Sequence, residues 1–149
     1  MQPIPNNGVI NLPFGFGFGY PSGGRPDLWV EFAAVDALGQ FVGQTATTCL
    51  LDSGADRTML HVAYAAALGL DVTTMPEVDV GGVGPDAVKC REYTILSRLC
   101  GKWIVTPVWF TKHDVNVIGR AGVFQELHLA FLHANAVVLG GIAPLAPAP

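Results

Sequence analysis

The sequence predicts a mostly β domain, a small closed barrel carrying one or two short helices. Three observations lead there. Short runs rich in apolar and β-branched residues recur through the middle of the chain, separated by Gly, Pro, Asn and Asp. One stretch, 61–68, has the alanine-rich composition of a helix, with Gly69 where a C-terminal stop is expected. A chain of 149 residues, half of them hydrophobic and only 13% charged, can bury one core, and the length fits one domain.

Taken in order, residues 1–27 form an arm rich in Pro, Gly and Asn, expected to be flexible. Within it Phe14-Gly15-Phe16-Gly17-Phe18-Gly19-Tyr20 alternates aromatic and glycine; if extended, it would present its aromatics on one face, suited to a sheet edge or a cleft. The domain proper spans 28–141. Strands are expected over 28–35, 41–51, 78–80, 87–99 and 103–110, with a late pair around Val117 and Val137. A second helix is expected over 121–127, with strand continuation as the alternative there. Residues 142–149 form a Pro/Ala tail expected to fray.

Charge and composition exclude several classes of function. A net charge of −4 and a pI near 5.4 leave no basic surface to neutralise phosphates, so neither nucleic acid nor anionic membrane is an expected partner. The start Met1-Gln2-Pro3-Ile4-Pro5 lacks the charge and apolar run of a signal peptide, and no apolar stretch is long enough to span a bilayer, so a cytoplasmic protein is expected. Cys49, Cys90 and Cys100 are odd in number and lack C-x-x-C spacing, which fits a reduced compartment and three buried thiols. No metal or cofactor is expected. His128 and His133 are five apart, which separates them on a helix or a strand, and Met59, Met75, Trp29, Trp103 and Trp109 read as packing residues.

The informative stretch is Thr48-Cys49-Leu50-Leu51-Asp52-Ser53-Gly54-Ala55-Asp56-Arg57-Thr58-Met59-Leu60. An apolar strand running into Asp-Ser-Gly can aim the Asp52 carboxylate inward. Gly54 would permit a tight turn at positive φ and the close approach of another backbone, while Ser53 can hydrogen-bond to a neighbouring loop. An ordinary Asx turn at a strand end is the plain alternative. A Ser-His-Asp site is not supported, because no G-x-S-x-G elbow is present. The glycine-rich Gly81-Gly82-Val83-Gly84 lacks the Lys-Ser/Thr ending of a phosphate-binding loop.

Over 28–131 the chain resembles the retropepsins, the retroviral and retroviral-like aspartic proteases, and more closely their cellular and bacterial members than the compact viral enzymes. The resemblance is carried by Gly43-Gln44, Asp52-Ser53-Gly54-Ala55 with its extension Asp56-Arg57-Thr58-Met59-Leu60, Gly81-Gly82-Val83-Gly84, and Asn116-Val117-Ile118-Gly119-Arg120. It implies a closed barrel that acts as a symmetric homodimer, in which Asp52 of each protomer supplies one carboxylate of a proton-sharing pair that activates water for peptide hydrolysis. It further implies that Ser53, Gly54 and Ala55 support the active-site loop and that Asp56 and Arg120 form a buried ion pair within the protomer. Gly81, Gly82, Val83 and Gly84 would be a mobile flap, and Val117, Ile118 and Gly119 the glycine element closing the core. Pro85 departs from the glycine common in viral flaps. A proteolytically inactive peptide-binding or dimerisation module on the same fold is the alternative. Self-processing, with residues before about 28 as a pro-segment, is a further expectation.

Overall fold

The computed structural model describes residues 15–20, 24–81 and 86–142. The first strand is β1 (Phe16–Gly19), followed by β2 (Asp27–Val35), β3 (Phe41–Leu51) and β4 (Thr58–His61), which runs directly into helix α1 (Val62–Ala67). Next come β5 (Glu77–Val80), β6 (Val88–Leu99), β7 (Lys102–Thr111) and β8 (Val117–Ile118). Helix α2 (Val123–Glu126) and strands β9 (Leu127–Leu132) and β10 (Val137–Ile142) complete the described chain. None of its helices is long and apolar enough to cross a membrane.

The mostly β expectation holds, but the single closed barrel is replaced by two sheets. Seven strands form one sheet in the order β2-β3-β8-β4-β7-β6-β5, and β1-β10-β9 form a separate three-stranded sheet. The larger sheet curls, because β2 also pairs with β6 over Glu31↔Arg98, Phe32↔Ser97 and Ala33↔Leu96. That contact is short, and β5 extends beyond it as an edge.

Alternation sets which side chains the curl encloses. On β2, Val30 and Phe32 turn inward and are fully buried while Trp29 and Glu31 are exposed; Val108 and Phe110 on β7 follow the same period. These side chains meet Leu60, Leu68, Ile95 and Ile118 in one core. Helix α1 closes one end of it. His61 caps the helix by accepting the Ala63 N–H on its Nδ1 at 3.1 Å, and Gly69, at φ 74°, provides the left-handed stop expected of it. Cys100 and Gly101, at φ 55° and 72°, make the two-residue primed turn that joins β6 to β7 with the twist of the sheet.

The arm expected to be flexible contains β1, which pairs antiparallel with β10 from Phe16↔Gly140 to Gly19↔Val137. Its glycines alternate with half-buried aromatics, so the composition that suggested a loose segment is also that of a strand with one partly covered face. The Phe16 ring lies where a Cβ on Gly140 would stand, and buried Tyr20 shares a 3.0 Å hydrogen bond between its hydroxyl and Nδ1 of His133. Residues 143–149 of the Pro/Ala tail lie outside the described residues.

Cys49, Cys90 and Cys100 are free thiols, the first two buried. Burial, reinforced by the charge of Asp27, pushes the Cys49 thiol up to about 12, and burial pushes Cys100 up to about 11. Cys90 is raised too, chiefly by burial and against a hydrogen bond with Thr111. Since the thiolate is the reactive form, alkylation of the folded chain at pH 8 is expected to be on the order of a hundredfold slower than in denaturant. Rapid modification of any one thiol in the folded chain would contradict this burial.

Candidate active site

Strand β3 delivers Asp52 to the end of the seven-stranded sheet, where β8 lies between β3 and β4. The pairing is parallel on one side, Leu51↔Ile118, and antiparallel on the other, Met59↔Val117. The loop 52–57 therefore arches over the end of β8, and the chain leaving β8 pins it from below. The Asp52 N–H donates to the Ile118 carbonyl at 3.0 Å, the Arg120 N–H to Ala55 at 2.9 Å and the Ala121 N–H to Asp56 at 2.9 Å. The fully buried Thr58 hydroxyl accepts the Gly119 N–H at 3.2 Å.

Within the loop, the Asp52 carboxylate accepts the Gly54 N–H on Oδ1 at 2.9 Å, and its carbonyl accepts the Ala55 N–H at 3.2 Å. The Asx turn and the inward carboxylate are thus the same feature, since the turn uses one carboxylate oxygen of two. Gly54 is needed for proximity rather than for the positive φ expected: its φ is not in the left-handed region, and a Cβ there would stand 3.2 Å from Asp52 Oδ1. Ser53 is exposed on the loop and Ala55 is half-buried.

Asp52 opens onto a cleft of about 490 Å³. Gly54, Ala55 and Asp56 continue its floor; Met59, Trp109, Val115 and Val117 make apolar walls; Asp79, Val80 and Gly81 overhang it. Met59 and Val80 belong to a small apolar cluster of their own, separate from the main core. A larger groove of about 650 Å³ lies elsewhere, between β1 and the β6–β7 turn. Its acids Asp27 and Glu31 are matched by Arg25 at 3.1 Å and Arg98 at 3.2 Å, so it offers no carboxylate free of an ion pair, and the smaller cleft is the better candidate for acid–base chemistry.

The overhang is the β5–β6 hairpin, paired from Glu77↔Arg91 to Val80↔Val88. Lys89 reaches Glu77 at 3.0 Å and Asp79 at 3.6 Å; its hydrogen bond to Glu77 raises the Lys89 pKa and lowers that of Glu77. Gly82, Val83 and Gly84 of the expected flap lie outside the described residues, as does Pro85; Gly81 is at the cleft. Of the expected glycine element, Ile118 and Gly119 are buried, and Gly119 lies against the loop with no room for a Cβ.

Asp56 and Arg120 do form an ion pair, but not a buried one: their side chains are 75% and 54% exposed. Asp56 also lines the cleft floor, so the pair sits at the open side of the loop. An exposed pair contributes little, so Arg120→Gln in a dilute, monomeric sample is expected to cost under about 1 kcal/mol in a urea titration. A loss of several kcal/mol would mean that the pair is covered within the protomer.

Sequence reasoning missed a trio beside Asp52. Glu92 Oε2 accepts hydrogen bonds from Arg57 Nη1 at 2.8 Å and Trp109 Nε1 at 2.9 Å, and the Arg57 guanidinium lies 5.4 Å from the Trp109 ring centre. Glu92 and Trp109 are cross-strand neighbours, a relation visible only once the β6–β7 register is known.

No family model and no curated protein matches this chain.

Proposed function

We propose that the protein is an aspartic endopeptidase that works as a homodimer of the retropepsin type, hydrolysing peptide bonds with water activated between the Asp52 carboxylates of two protomers. The observation that carries this reading is the Asp52 carboxylate, held by a loop pinned on both sides, at the floor of a cleft with apolar walls and a hairpin overhang. The sequence contains one Asp-Ser-Gly, and the chemistry takes two carboxylates, one to activate water and a protonated one to polarise the scissile carbonyl. A two-fold axis beside the exposed tip of the loop supplies the second from a copy of the same residue. On this reading the curled seven-stranded sheet is the protomer's substrate-binding body, Ser53 bonds across the axis, and Asp56 and Arg120 become covered on assembly. Self-processing that removed everything before residue 28 would also take β1 from its pairing with β10.

The test is cleavage of an undirected peptide library across pH 3.5 to 7.5, with sedimentation on the same samples. Specific activity that falls on dilution together with the dimer fraction supports the proposal. A stable, folded dimer that cleaves nothing at any pH would sink it in favour of a peptide-binding module.

A further inference from the structure

We infer that Arg57 is a specificity residue of the cleft and that it selects peptides bearing an acidic side chain beside the apolar residues the cleft holds. The inference rests on reading the cleft as a peptide site, but not on hydrolysis.

Arg57 faces the cleft, whereas Glu92, its partner, does not line it. Glu92 stands behind, holding Arg57 Nη1 at 2.8 Å and Trp109 Nε1 at 2.9 Å with one oxygen, while the guanidinium lies 5.4 Å from the Trp109 ring centre. A long side chain is thereby ordered before any ligand arrives, which lowers the entropic cost of using it. The guanidinium has five donors; Glu92 engages Nη1, and about a third of the side chain (34%) is exposed.

Charge gives the same assignment. Among the described residues lining the cleft, Asp52, Asp56 and Asp79 are acids and Arg57 is the sole cation. Asp56 is engaged by Arg120, and Asp79 has Lys89 at 3.6 Å. Against these three acids a substrate carboxylate has one cation to meet, shared with Glu92 and presented as a planar fork that suits it. An ion pair serving only to brace β6 against β4 and β7 would not need to present its guanidinium to the cleft.

The test uses the full chain carrying Asp52→Asn, so that binding is read without cleavage. Fluorescent apolar peptides carry a single Glu at each position in turn, and each has a Gln counterpart. The expected result is about a tenfold preference for Glu over Gln at one position. Arg57→Gln removes that preference, and Glu92→Gln enlarges it, because Gln still accepts the Trp109 N–H but no longer neutralises Arg57. A purely bracing pair predicts that both substitutions weaken all peptides alike, which would overturn the inference, as would failure of both peptide series to bind. The same peptides offered to the unsubstituted chain separate the two readings. Cleavage without an acid preference removes the role of Arg57 and leaves the protease; an acid preference in binding without cleavage does the reverse.

Discussion

Asp52→Asn is expected to lower peptide hydrolysis by on the order of 10³–10⁴-fold while the protein stays folded and keeps its association state. Asn is the informative replacement, because its amide oxygen can still accept the Gly54 N–H that shapes the loop at 2.9 Å. What is lost is the group that exchanges a proton with water. The paired-carboxylate proposal makes a sharper statement about mixtures. If equal amounts of the two chains are dissociated and reassociated at random, only about one dimer in four has two Asp52 residues, so activity falls to about a quarter of the all-wild-type value. A site complete within one chain would retain half. Full activity in the Asn form would end the proposal.

The second large effect is on stability. Gly119→Ala is expected to destabilise the fold by about 3 kcal/mol, read as a shift in the urea midpoint. A Cβ at that position would stand 2.3 Å from the carbonyl carbon of Arg57 and 2.4 Å from its oxygen. Those are backbone atoms between the loop and β4, and neither can swing aside as a side chain would. The loop must lift, which also stretches the Gly119 N–H bond to Thr58 and the Asp52 N–H bond to Ile118. Peptide binding is expected to weaken more than stability alone explains, since Asp52 and Arg57 ride on the same loop. Gly81→Ala is the matched control at the cleft, with nothing among the described residues within 4 Å of its Cβ, and is expected to be nearly neutral for stability. A cost below about 1 kcal/mol at Gly119 would mean the loop is not clamped as described.

Much of this architecture was legible from the residues. The expected strand 41–51 and the helix at 61–68 ending before Gly69 agree closely with β3 and α1, because alternation and a glycine stop are local signals. β4 was missed because its four residues sit between a polar loop and a helix, too short for any period to show. β9 was hidden for another reason: its sequence fits the end of a helix as well as a strand, and pairing with β10 decided it. At the site, the placement of Asp52 followed from the apolar strand before it. The exposure of the Asp56 and Arg120 pair and the gathering of Arg57, Glu92 and Trp109 did not, since both depend on how distant segments lie in register.

The clamp on the loop also has a bearing on when the site can exist. Asp52 depends on the carbonyl of Ile118, which is made 66 residues later (118 minus 52). At translation rates of about 5–20 residues per second, the carboxylate waits roughly 3–13 seconds for the segment that positions it. During that interval the nascent chain carries Asp-Ser-Gly without a shaped loop around it. The loop around Asp52 thus takes its shape only after residue 118 has been made.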